Sequence, residues 1–172
     1  MQFQISHELD APVEEAERAL LSPELGPQLA RRSPKLESVQ MTVGERGEGQ
    51  LRRVLRFHAR SLLPALERFE RAREWMMWEE HLTYQLSDHA GQWCIVPRGD
   101  AAPDAIWRRR FALQGTMSLK RLADRRSRRI VAGDMDIQLR IIGRVLQRIA
   151  VAELHKAYDA EAEVLRTLCK TA

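Results

Sequence analysis

The sequence predicts an α+β fold in which one curved antiparallel sheet wraps around a long C-terminal helix. Three observations predict it. Between Arg140 and Leu168 there is no proline, no glycine follows Gly143, and Leu146, Ala150, Leu154, Ala157, Tyr158, Val164, Leu165 and Leu168 recur at spacings of three, four and seven. That is the stripe of one amphipathic helix, about 26 residues and roughly 40 Å long. Upstream, one segment after another alternates apolar and polar residues, the period of a strand with one buried face. The connections are short, so successive strands pair as a meander whose apolar face the helix covers.

Taken in order, Phe3, Ile5, His7 and Leu9 alternate with Gln2, Gln4, Ser6 and Glu8, which predicts a strand. Asp10-Ala-Pro-Val-Glu-Glu then opens a helix: Asp10 or Ala11 caps it, Pro12 suits the first turn, and Glu14 and Glu15 complement the helix N-terminus. This helix runs through Leu21. A second short helix starts at Ser22-Pro23-Glu24, is broken or ended near Gly26-Pro27, and trails to about Arg32. Val39, Met41 and Val43, the turn Gly44–Gly49, and Leu51 to Ala59 read as a hairpin. Ser61 to Phe69 contains Pro64 and reads as an irregular crossing or a short helical turn. A strand from about Trp75 to Leu86 turns at Asp88–Gly91 and returns as Trp93 to Val96, and Arg98 to Asp104 is a loop. Trp107, Phe111, Leu113, Met117 and Leu119 share one parity. Ala123–Ser127 is a polar turn, and Val131, Met135, Ile137, Leu139 and Ile141 form the partner strand.

A chain of 172 residues suits one domain over its whole length, able to bury roughly 70% of its unfolded surface. Hydrophobic residues at 44% and charged residues at 30% are ordinary for a soluble globular protein. No apolar run reaches membrane-span length, and the strand-like start Met-Gln-Phe-Gln-Ile-Ser-His lacks the basic and apolar regions of a secretion signal. Cys94 and Cys169 fit neither a zinc pattern nor a redox pair, which points to a reducing, cytoplasmic setting. Net charge is +4, and only four of the 28 basic residues are lysines, a bias that genome composition explains.

The order of elements, together with three local motifs, resembles the START-like (SRPBCC) superfamily, the helix-grip or Bet v 1-like fold of plant pollen allergens, polyketide cyclases and lipid-transfer domains. The motifs are Phe3–Leu9 leading into Asp10-Ala-Pro-Val-Glu-Glu, Gly115-Thr-Met-Ser-Leu119 with the two long strands to Leu139, and Ile141-Ile-Gly-Arg-Val-Leu146 opening the last helix. Leu63-Pro64 adds a strand-breaking pair. Together they resemble an uncharacterised bacterial family within that superfamily. The resemblance implies a cavity between sheet and helix for a hydrophobic small molecule or lipid. It implies no fixed catalytic set and no cofactor.

Inward parity defines the candidate lining: Phe3, Ile5, Val39, Met41, Leu55, Phe57, Leu82, Tyr84, Trp93, Ile95, Phe111, Leu113, Met117, Met135, Ile137 and Leu139, closed from the helix by Leu146, Ala150 and Leu154. Small Ala150 and Gly115 are expected to leave space. The same residues would equally pack a solid core. Four polar residues interrupt the apolar parity: His7, Arg53, Glu80 and Arg109. A buried charge needs a partner. These groups either meet inside and orient a ligand's polar end or, the plainer reading, sit near water at strand ends or after a bulge. The five histidines have no metal-ligand spacing, no serine has a nucleophile-elbow setting, and Gly44–Gly49 joins two strands rather than cradling phosphate. Six basic residues, Lys120, Arg121, Arg125, Arg126, Arg128 and Arg129, surround one hairpin tip without interleaved aromatics. A solvated turn is expected there, not a specific nucleic-acid site. Trp75-Met-Met-Trp78 is apolar on both parities, as at a strand end covered on both sides or a surface for entry to the cavity or for a homodimer. The expected function is a carrier or binder of a hydrophobic molecule. The alternatives are a polyketide cyclase-like enzyme using Glu80 or His7, and an interaction module with a closed interior. Converging ionisable groups would favour the enzyme.

Overall fold

The structure is a computed structural model and describes residues 1–60, 77–98, 111–138 and 143–171. Ser61–Phe69 with Leu63-Pro64, Trp75, loop residues 99–104, Trp107, Arg109, Leu139, Ile141 and the side chain of Leu146 lie outside the described residues.

The order is β1 (Gln2–Leu9), α1 (Val13–Leu20), α2 (Leu25–Arg32), β2 (Leu36–Arg46), β3 (Gln50–Ala59), β4 (Met77–Gln85), β5 (Ala90–Pro97), β6 (Phe111–Ala123), β7 (Arg126–Ile137) and α3 (Gly143–Thr171). The strands form one antiparallel sheet in the order β1-β7-β6-β5-β4-β3-β2. β2 to β7 are the expected meander. The first strand closes the far edge beside the last, pairing Gln2 with Asp134 through to Leu9 with Ser127.

α2 corrects one expectation. Gly26 and Pro27 do not break the helix but lie in its first turn. There the missing proline N–H has no carbonyl to serve. Gly26 brings α2 close to the sheet: a Cβ there would stand 2.5 Å from the Val39 carbonyl oxygen. β7 begins at Arg126, ahead of the expected Val131, so Ser127 and Arg129 join Val131, Met135 and Ile137 on the buried parity.

α3 packs on β1, β7, α1 and α2. Its buried residues are Tyr158, Glu161, Ala162, Val164, Leu165, Leu168 and Cys169, with Ala150, Val151 and Leu154 half-buried. Ala157, expected in the stripe, is exposed. At 3.6 residues per turn it stands one step off the line through Leu154, Tyr158, Glu161, Leu165 and Leu168. β3 and β4 meet the helix through long side chains, Arg53 to Glu161 and Glu80 to Tyr158.

Candidate functional site

Three strands, β3, β4 and β7, and the helix bring one polar cluster together beneath the middle of α3. The alternation that buries Leu51 and Leu55 in β3 also turns Arg53 inward, and that of Leu82 and Tyr84 in β4 turns Glu80 inward. Arg53 donates from Nη2 to Glu80 Oε1 at 2.5 Å and from Nη1 to Glu161 Oε1 at 3.1 Å. Arg129, on β7, donates from Nη2 to Glu161 Oε2. Tyr158 Oη donates to Glu80 Oε2 at 3.2 Å. The Arg129 guanidinium lies over the Tyr158 ring, 5.2 Å from its centroid, within the range of a cation–π contact. Arg53 and Arg129 are each 1% exposed.

Electrostatics splits the two glutamates. Burial opposes charge on Glu161, but Arg129 and Arg53 outweigh it and hold the carboxyl below its ordinary value. Burial raises Glu80 above its ordinary value; Arg53 opposes this, and the neighbouring Glu161 charge adds to the rise. Burial also drives the Tyr158 hydroxyl well above the usual tyrosine value. Two carboxylates share Arg53, so the shielded site favours charge on the one that holds both arginines.

Below this cluster lies a gap floored by Leu82, Trp93, Met117 and Val131 and walled by Arg53, Glu80, Arg129 and Tyr158, with no room in it for a water molecule. Several donors stay unpaired beside it: Arg53 Nε, and Nε and Nη1 of Arg129.

The expected lining residues Leu82, Tyr84, Leu113, Met117, Met135 and Ile137 are buried, while Phe57, Phe111, Ala150 and Leu154 are half-buried. Gly115 leaves no space, contrary to expectation: it faces Gly133 across β6 and β7, and a Cβ would stand 1.9 Å from the Ala132 carbonyl oxygen. Among the expected polar residues, Arg53 and Glu80 meet inside. The plainer reading of strand ends near water does not describe this pair. His7 instead pairs through Nε2 with exposed Asp159 at 2.8 Å. Tyr84 belongs to a separate cluster, its hydroxyl donating to buried Glu17 at 3.0 Å beside His89 Nδ1 at 2.8 Å.

Sequence reasoning missed Glu161 and Arg129. Glu161 follows Tyr158 by three and Leu154 by seven, so it occupies a stripe position, and that spacing was a usable signal. Composition alone puts Arg129 in the basic run at the hairpin tip. Of that tip, Arg121 pairs with Glu14, Arg126 and Arg128 pair with Glu8, and Arg129 is interior. Trp78 was also unassigned as a lining residue; it stacks on its cross-strand partner Phe57 with centroids 5.3 Å apart and planes 3° from parallel. Among the described residues no cluster of three or more His, Cys, Asp or Glu side chains forms a metal set, and no helix is long and apolar enough to cross a membrane.

A curved antiparallel sheet gripping a long C-terminal helix is the START-like helix-grip fold. The fold is similar to the Zhui aromatase/cyclase from Streptomyces sp. R1128 (11% identity, TM-score 0.64, covering 99% of this chain and 93% of that one). It is also similar to a START superfamily protein from Mycobacterium smegmatis (12%, 0.54, 99% and 97%). Norcoclaurine synthase from Thalictrum flavum, in complex with dopamine and hydroxybenzaldehyde, shares it as well (12%, 0.58, 96% and 86%). At these identities the likeness is one of fold. The chain belongs to the family described as "Protein of unknown function (DUF2505)", whose profile matches residues 4–169. No curated protein matches it.

Proposed function

We propose that this protein binds a hydrophobic small molecule or lipid between the first half of α3 and the inward face of β3 to β6. The observation that carries this is uneven burial along the helix. From Tyr158 onward its inward side chains are sealed, with Leu165 at 1% exposure, whereas Ala150, Val151 and Leu154 are half-buried. Gln147 Nε2 donates to the Met135 carbonyl oxygen, which sets this half of the helix at the end of β7 nearest Ile137. At that end of the sheet Phe57, Trp78, Ile95 and Phe111 are half-buried too. The Phe57–Trp78 stack offers a flat apolar platform there. Covering such surface with ligand carbon is favourable by about 25 cal/mol per Å², less the cost of immobilising the ligand. One protein of this fold is in complex with dopamine and hydroxybenzaldehyde, which supports a ligand role.

The test is titration with N-phenyl-1-naphthylamine, an uncharged apolar dye. Saturable fluorescence enhancement is expected, and it should be lost in Ala150→Trp while the melting temperature holds. A parent protein that never binds the dye, with an Ala150→Trp variant that is merely unstable, would mean the interior is solid core.

A second reading, acid–base catalysis on the bound molecule, is favoured by the Tyr158–Glu80 hydrogen bond in a dry setting. Molecules extracted from the purified protein and incubated with fresh protein distinguish the two. Conversion by the parent but not by Glu80→Gln marks an enzyme; unchanged molecules mark a carrier.

A further inference from the structure

The cluster beneath α3 has a chemical asymmetry. Every carboxylate oxygen in it has a donor: Glu80 Oε1 and Glu161 Oε1 receive Arg53, Glu80 Oε2 receives Tyr158, and Glu161 Oε2 receives Arg129. The arginine side is not used up. Arg53 Nε and both Nε and Nη1 of Arg129 are buried without a partner. The Tyr158 ring engages the face of the Arg129 guanidinium, but the N–H bonds lie in the guanidinium plane and gain nothing from it. Both arginines line the gap, which is too small to hold a water molecule. A buried, unpaired guanidinium N–H is among the costlier groups a protein can hold, and here two arginines on β3 and β7 leave such groups beside one gap whose floor is apolar.

We propose that the bound molecule carries an anionic oxygen head, a carboxylate, received between Arg53 and Arg129. This rests on the reading that the protein binds a hydrophobic molecule at all, and it names the class: an amphipathic acid, with its head at the arginines and its tail toward the Phe57–Trp78 platform. The unpaired atoms on the two arginines are donors, so they select a group that accepts. A guanidinium matches the two oxygens of a carboxylate better than a single hydroxyl. The closed gap has no room for the head, so binding requires α3, tied to the arginines through Glu161 and to β4 through Tyr158, to move outward.

The experiment is calorimetric titration of the intact protein at about pH 8, where a fatty acid is ionised, with dodecanoate and with dodecanol. Parallel titrations use Arg129→Lys, which keeps the positive charge facing Glu161 but removes the fork. Dodecanoate is expected to bind at least about tenfold more tightly than dodecanol, a difference a charge-assisted bidentate contact supplies. The ratio should fall toward one in Arg129→Lys. Equal affinities in the parent would overturn the carboxylate head while leaving the apolar site standing. Binding of neither, with no dye binding, would remove both. If Arg129→Lys fails to fold, the parent's ratio and the same ratio in Arg53→Lys decide the matter.

Discussion

Glu79 and Glu80 are adjacent on β4, and both are buried, yet the two faces of the sheet treat them oppositely. Glu79 points away from α3. Its Oε1 accepts Arg56 Nε at 3.0 Å and Nη2 at 2.8 Å, and its Oε2 accepts Arg98 Nε at 2.8 Å and faces His81 Nε2 at 3.0 Å. Burial works against its charge, but these partners outweigh burial and bring the carboxyl from the usual 4.5 down to about 2. Glu80 points under the helix, shares Arg53 with Glu161, and is raised. The difference lies in the partners. Those of Glu79 are about half exposed and serve it alone, whereas those of Glu80 are themselves buried and divided between two carboxylates. Burial of a carboxyl therefore does not by itself set its charge; the count and solvation of the cations around it do.

The largest effect that can test this contrast is removal of the inner hub. Glu161→Ala strands Arg129 without a carboxylate and leaves Arg53 with Glu80 alone, and should destabilise by about 3–5 kcal/mol in denaturant titration. A loss below about 1 kcal/mol would show that the inner face is as forgiving as the outer one. Next, Glu79→Gln should cost about 1 kcal/mol, because its cations are already half solvated and screened. The pH profiles of the neighbours should slope in opposite directions. Glu79, depressed in the fold, contributes stability that is fully present above its unfolded value near 4.5 and is lost as pH falls toward about 2. Glu79→Gln should flatten that acid limb. Glu80 is raised, so the fold prefers its protonated form, and its effect is a loss of stability as pH climbs above 4.5 through the folded value. Glu80→Gln should flatten that limb instead, and matching profiles for the two variants would abolish the contrast. The smallest change is expected on the outer surface of α3: Glu163→Ala, which removes only an exposed pair with Arg32, should stay within about 1 kcal/mol in thermal unfolding.

Much of the architecture is legible along the chain. The alternation of Phe3, Ile5 and Leu9 and the long stripe of α3 each declare a period that one element alone satisfies, and the β2–β3 hairpin is legible too, although its strand pairing runs on through Arg46 and narrows the expected turn Gly44–Gly49 to Gly47–Gly49. The site is less so, for identifiable reasons. Arg53 and Glu80 were visible as charges on apolar parity, but parity says only which face a residue is on. Their meeting depends on strand register, Leu82 opposite Arg53 and Leu55 opposite Glu80. Arg129 was hidden because the strand extends through a basic run with little apolar content, where pairing with β1 and β6 overrides composition. Gly115 was read as space because a missing side chain looks like room, whereas here the neighbouring backbone has already taken it.

The placement of β1 has a consequence for how the protein is made. Within this sequence β1 is made before every other strand, yet Gln2 pairs with Asp134 on β7, the last strand to appear. At about 5–20 residues per second, roughly 7–26 seconds pass before a partner edge exists. β2 to β6 meanwhile zip strand by strand, each finding the one just synthesised. The nascent chain is thus a growing half-sheet with a loose leading ribbon and an uncovered apolar face. Edge closure by β1 waits for β7, and the docking of α3 can follow only after that. During that interval Phe3, Ile5 and Leu9, buried in the finished fold, lie on a strand with no edge to join.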